Sequence, residues 1–289
     1  MFKQGYVMRH LCISIALLSL LILSVNSYSQ DTPTALEGPY LGQKPPGLTP
    51  KLFAPNPSKE YRDWGGYFTP DMQEYYVTRR YHQSGESSKV AFKLDGNRWY
   101  ESEVAWGGSI SPDGQTMYSR NRYRERTDNG WSDPKSLGPL FEDFRIMRLT
   151  ASAKGTFVFD EVGSNGDGIL RYSRLLDGKR EAPKPFGEQI NTGKWTAHPF
   201  IAPDESYIIW DSEREGGFGD SDMYISFRQQ DGSWGAAINF GDKINTEGED
   251  GGGYVTPDGK YLFYCRRCTP PNFEIMWVDA KFIEALRPK

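Results

Sequence analysis

Arg148 and His198 are the two side chains most able to do chemistry, because of where they stand rather than what they are. Each lies five residues before the anchor of a recurring turn phrase (Ala153 and Pro203), at a place where three other copies of that phrase carry Gly65, Gly107 and Gly252. Eight residues after the same anchors come Thr78, Arg120, Glu161, Asp211 and Cys265, followed closely by Arg79, Arg80, Arg122, Arg266 and Arg267. Guanidinium groups at this density suit a carboxylate or sulfate, whose oxygens they grip two at a time. With such clamps, His198 is the candidate base that removes an acidic C–H proton, and Tyr81, Tyr123 or His82 the candidate acid that protonates a departing oxygen. That chemistry is β-elimination at a uronic acid, with Arg148, Arg120 and Arg79 neutralising the carboxylate and Arg80, Arg122, Glu161, Asp211 and Arg266 completing the binding wall. Glu161 and Asp211 are also the candidate carboxylate pair for glycoside hydrolysis. The competing reading is structural: the arginines pair with these and other acids as a solvated rim, and a lone histidine is an ordinary packing residue.

The positioning elements are written five times. Y-F-T-P-D-M-Q-E-Y-Y-V (67–77) recurs as S-I-S-P-D-G-Q-T-M-Y-S (109–119), T-A-S-A-K-G-T-F-V-F-D (150–160), F-I-A-P-D-E-S-Y-I-I-W (200–210) and Y-V-T-P-D-G-K-Y-L-F-Y (254–264). The anchors Pro70, Pro112, Ala153, Pro203 and Pro257 are spaced 42, 41, 50 and 54 residues apart, a period typical of solenoids, propellers and arrays. Each phrase is a strand, a Pro-Asp turn that presets its own dihedrals, and a second strand rich in aromatic and β-branched residues. Second turn signals follow at Asp95-Gly96, Asp128-Asn129-Gly130, Asp177-Gly178 and Asp231-Gly232, three of them trailed by Trp99, Trp131 and Trp234. The unit is therefore four antiparallel strands, and the expected fold is all-β: a β-propeller of five four-stranded blades, since a sixth blade has no sequence to form it. The last unit places its third strand at 273–281 and runs out of chain, so Gly47–Ala54 is expected to supply the missing strand and close the ring.

With its turn phrases, the G-D-S-D-M-Y stretch at 219–224 and the I-N-T tripeptides at 190–192 and 244–246, the chain resembles the WD40-like (PD40, TolB-type) β-propeller repeat family over about residues 47 to 289. The resemblance implies the fold; that fold hosts many unrelated functions. It leaves two classes of function open. One is an enzyme acting on anionic oligosaccharides, similar in architecture to propeller polysaccharide lyases, as a lyase or a dehydratase. The other is a non-catalytic platform for protein or glycan at the cell envelope.

Residues 1–30 place Lys3 and Arg9 before an apolar run from Leu11 to Val25 and small polar residues up to Gln30, the pattern of a secretory signal peptide. A periplasmic or secreted product is expected, with an extended, proline-bearing leader at 31–46 and the propeller at 47–289. The formal charge of −4, more acidic once Lys3 and Arg9 are removed, argues against general nucleic-acid binding. Cys265 and Cys268 are two thiols where a structural zinc site needs four ligands, and a local disulfide or a pair of quiet thiols is expected. The Asp-rich stretches at 163–168 and 219–222 lack the spacing of a calcium loop and read as turns. Neither a metal nor an organic cofactor is expected, and no phosphate-binding loop, nucleophile elbow or H-E-x-x-H helix is present.

Overall fold

The computed structural model describes residues 36–267 and 274–288. The proposed signal peptide and Cys268 lie outside the described residues. Within them, five antiparallel sheets are arranged as a five-bladed β-propeller. From inner to outer edge, blade 1 is Tyr61–Phe68, Glu74–Tyr81, Ser87–Asp95 and Arg98–Val104. Blade 2 is Ser109–Ile110, Thr116–Ser119, Arg122–Thr127 and Lys135–Ser136. Blade 3 is Leu149–Ala151, Phe157–Val162, Gly168–Ser173 and Lys184–Pro185. Blade 4 is Thr196–Ile201, Tyr207–Ser212, Asp222–Phe227 and Ile238–Asn239. Blade 5 is Asp250–Val255, Tyr261–Arg266 and Glu274–Asp279, completed by Lys51–Leu52.

The recurring phrase folds because its aspartate holds the turn. Asp71, Asp113 and Asp204 each accept the backbone N–H two residues on at 3.0 Å, and Asp258 does so at 3.2 Å. Blade 3 has Lys154 at that place, and its turn is one residue shorter: Ser152 N–H donates to the carbonyl of Thr156, whereas Ala202 N–H reaches Tyr207. The core lies in the seams between blades. Ile209 and Met223 pack with Val255 and Leu262 in one seam, and Val158 and Leu170 with Ile201 and Ile208 in another. Two of the turn tryptophans span seams: Trp131 of blade 2 donates Nε1–H to Tyr76 Oη of blade 1 at 2.9 Å, and Trp234 of blade 4 meets Phe186 at 6.2 Å.

Ring closure uses more than the expected strand. Residues 36–46, expected as an extended leader, contain the 3-10 turn Pro39–Gly42, whose Tyr40 and Leu41 are buried. Tyr40 packs edge-on to Tyr261 at 4.9 Å and Phe68 at 5.8 Å, so this segment fills the seam between blades 5 and 1. The third strand of blade 5 ends at Asp279, short of the expected Lys281, because the chain turns there into the helix Lys281–Leu286.

Close packing at the inner strands makes one glycine indispensable. A Cβ on Gly66 would come within 2.1 Å of Tyr75 Oη, and Tyr75 is fully buried and cannot swing away. Gly66→Ala is expected to destabilise the fold by about 3 kcal/mol, read as a lowered thermal midpoint.

Candidate functional site

In every blade the start of the inner strand and the end of the second strand lie at one end of the ring. There they enclose a cavity of about 690 Å³, within the usual range of small-molecule sites. All five residues counted before the anchors, Gly65, Gly107, Arg148, His198 and Gly252, line it.

Three of these positions show why His198 is unusual. The inner strands of blades 1, 4 and 5 each carry a β-bulge here, between Trp64 and Gly66, Ala197 and Phe200, and Gly251 and Tyr254. The bulge residue takes a left-handed φ: 54° at Gly65, 65° at Gly252 and 49° at His198. Glycine adopts that conformation freely, whereas a side-chain-bearing residue pays about 1–2 kcal/mol. His198 is held there by two buried carboxylates. Asp160 Oδ2 accepts the His198 backbone N–H at 2.9 Å, while its Oδ1 accepts those of Met147 and Arg148 at 2.8 and 2.9 Å. Asp211 holds the ring, with its two oxygens 3.1 and 3.0 Å from Nδ1, and also accepts the Gly252 N–H at 2.8 Å. Each aspartate thus ends one blade's second strand and fixes the bulge or inner strand of the next.

This contact sets the charge of His198. Burial in the wall lowers the pKa of the imidazolium and nearby Arg148 adds to that, but the Asp211 carboxylate, backed by Asp160, outweighs both and pushes it up to about 9. At neutral pH the ring is therefore an imidazolium whose Nδ1–H is spent on Asp211. Its side chain retains 32% exposure at the cavity, and Nε2 makes no hydrogen bond among the described residues. Its Nε2 is a donor toward the cavity rather than an accepting lone pair.

Arg148 extends from blade 3 across the mouth. Its Nη2 donates to the Gly253 carbonyl of blade 5 at 3.1 Å, and its guanidinium stacks 5.2 Å from the Tyr67 ring centroid of blade 1. It is only 8% exposed, its Nε–H has no partner, and none of the ion pairs among the described residues includes it. A guanidinium this deeply buried without a carboxylate is costly to the fold. Beside it, burial pushes up the phenols of Tyr67 and Tyr254, and Tyr254 Oη is also buried without a hydrogen-bond partner. Arg80 and Arg120 line the same cavity and likewise form no ion pair among the described residues; Arg120 holds a left-handed φ of 55°.

Other candidates lie elsewhere. Arg79 points to the opposite face of its strand from Arg80. There it is buried against Tyr61, with Nε 2.8 Å from Asp63 Oδ1 and Nη2 3.1 Å from Glu101 Oε2, so it is spent on a structural ion pair. Arg266 pairs with Asp250 at 3.4 Å and donates to the Ile244 carbonyl at 3.0 Å. Arg122 and Arg267 are exposed outside the cavity wall. Tyr81 is exposed against Tyr61, His82 sits in the turn beyond it, and Tyr123 packs on the seam of blades 2 and 3, so none of the three candidate acids lines the cavity. Glu161 is bound to Arg171 at 2.5 Å outside the cavity. The shorter turn of blade 3 moves the register by one residue, so Asp160, not Glu161, is the counterpart of Asp211. The carboxylate pair for hydrolysis is therefore not assembled.

Counting from the turns missed Lys89, because it belongs to a third strand. Its Nζ donates to Thr78 Oγ1 on the paired strand and lies 6.0 Å from the Trp64 ring. Burial, with Arg120 next to it, lowers its pKa.

No protein-family model matches the chain, and no curated protein matches its sequence. Among solved structures it is similar to the catalytic domain of a Coprinopsis cinerea GH62 alpha-L-arabinofuranosidase, at 9% identity over 85% of this chain and 97% of that one, with a TM-score of 0.49. The Podospora anserina alpha-L-arabinofuranosidase PaAbf62A matches at 12% identity over 80% and 93%, TM-score 0.47. An oligogalacturonate lyase in complex with manganese matches at 11% over 77% and 66%, TM-score 0.37. At these identities and scores the likenesses assign no activity to this chain.

Proposed function

We propose that this protein is an exported propeller enzyme that eliminates across the C4–C5 bond of a uronate in an anionic oligosaccharide. The observation that carries the reading is Arg148: a buried guanidinium lining a central cavity, without a carboxylate partner, beside an imidazolium held by Asp211. An anionic sugar supplies the missing charge. Arg148, with Arg120 and Arg80 at the rim, binds the carboxylate, and withdrawal of its charge makes the neighbouring C5 proton acidic. Trp64, 38% exposed at the rim, offers an apolar face to a sugar ring. His198 takes the part of acid rather than the base expected from sequence, donating the Nε2 proton to the departing oxygen. A departing sugar makes the enzyme a lyase, and departing water a dehydratase.

The second reading is a non-catalytic glycan- or protein-binding platform, favoured by Arg79 and Arg266, which pair with acids as a structural rim would. Purified protein incubated with uronate-containing and sulfated oligosaccharides separates the two, followed by ultraviolet absorbance of the new conjugated double bond and by mass. New absorbance, lost in His198→Ala, is expected. Unchanged substrate masses across the panel reject the enzyme in favour of the platform, and cleavage without absorbance shows hydrolysis instead.

A further inference from the structure

Elimination needs a base as well as an acid, and with His198 holding a proton the cavity must supply it elsewhere. We propose that Lys89, from the third strand of blade 1, is the group that removes the C5 proton, lining the same cavity as His198 from a blade that does not adjoin blade 4. This rests on the elimination reading above.

The placement follows from ring topology. Blade 1 neighbours blades 2 and 5, and blade 4 neighbours blades 3 and 5, so Lys89 and His198 approach a bound sugar from different sides. Lys89 is half-buried, with its stem along Gly107, where a Cβ would stand 3.4 Å from Lys89 Cδ. Thr78 Oγ1 takes one Nζ hydrogen and so aims the amine. No ion pair among the described residues includes Lys89, although the chain as a whole is acidic. The groups around the amine are Thr78, the Trp64 ring and Arg120; Arg120 is the charged one, and its repulsion joins burial in favouring the neutral amine. Environments that raise the pKa of a histidine and lower that of a lysine in one cavity shift both away from their ordinary protonation and suit an acid–base division of labour.

In the step, the lone pair of neutral Lys89 takes the C5 proton, and the C5–H electrons form the C4–C5 double bond. The C4–O bond breaks with its electrons on oxygen, which receives the Nε2 proton of His198. Lys89 ends as ammonium and His198 as neutral imidazole, and exchange with solvent resets both.

Two measurements test this. The first is independent of activity: reductive methylation across a pH series, with peptide mass mapping, compares the reactivity of Lys89 with that of exposed lysines such as Lys93 and Lys281. Lys89 is expected to become reactive at lower pH than these, and the difference to shrink in Arg120→Gln. The second is kinetic. Lys89→Met is expected to lower kcat at least a hundredfold with KM within about threefold, while Lys89→Arg keeps the charge and fails to restore kcat. Lys89 titrating with the surface lysines, or Lys89→Met retaining full kcat, overturns the assignment even where elimination is observed. An early-titrating Lys89 in a protein that eliminates nothing overturns the elimination reading, and with it the role of Lys89 as its base.

Discussion

Arg148→Met is expected to lower kcat/KM on a uronate substrate about a thousandfold, the scale of losing a charge-stabilising donor at a reacting centre. Both kcat and KM should suffer, because the guanidinium binds the carboxylate in the ground state and neutralises the further charge that develops as the C5 proton leaves. The same change should not weaken the fold. Arg148 is buried with an unpartnered Nε–H and without a carboxylate, so removing its charge relieves a standing cost that exceeds the hydrogen bonds to Gly253 and His198 carbonyls. Activity falling while the thermal midpoint holds or rises is the signature of a site kept for function at the expense of stability. Arg148→Lys separates charge from geometry: the ammonium keeps the charge but cannot grip a carboxylate with a planar fork, and recovery of less than a tenth of the activity is expected. A midpoint that falls sharply in Arg148→Met, with activity intact in the surviving fold, would make this arginine structural.

The second large effect is expected from Asp211→Asn. The amide oxygen still accepts the Gly252 N–H, so the bulge of blade 5 is preserved, but the charge facing His198 is gone. Burial and Arg148 are then opposed by Asp160 alone, and the pKa of the imidazole falls from about 9. The ring then holds its proton less firmly at neutral pH, and kcat should drop about a hundredfold. Stability should change with pH as well. A histidine whose pKa is raised in the folded state stabilises fully below 6.5 and loses that contribution as pH rises through about 9. The wild type should therefore lose stability across this window, by about 2 kcal/mol after allowing for the exposed part of the ring, whereas Asp211→Asn should lack that slope. Denaturant midpoints at several pH values measure it, and histidine proton resonances report the pKa directly. A wild-type His198 titrating near 6.5 would remove the acid role assigned to it.

The turn phrases carried the architecture into the sequence almost whole. Pro70, Pro112, Pro203 and Pro257 with their aspartates define hairpins through contacts two residues long, and such local chemistry survives in a linear text. The closing strand at Lys51–Leu52 was legible from arithmetic, since a last blade lacking a strand can be completed only from the other end of the chain. Arg148 and His198 were legible because an inner strand of fixed rise ties each position to its turn. The same counting failed by one residue at Glu161, where blade 3 shortens its turn and passes the buried role to Asp160. In Arg79 and Arg80, adjacent cations on a strand face opposite ways, and the other strands of the same blade decided which was consumed by Asp63 and Glu101 and which meets the cavity. Lys89 had no signature at all: its place beside Thr78 is a cross-strand register, and its nearness to Arg120 a contact between blades. The protonation of His198 belongs to the same class. Residue type sets an ordinary pKa near neutrality, but the carboxylate that moves it comes from a different strand, and the burial that opposes it comes from the assembled ring. Sequence determined which local structures form and how many. Tertiary structure decided which charges meet, because Coulomb energy and desolvation depend on distance and burial through space, not on separation along the chain.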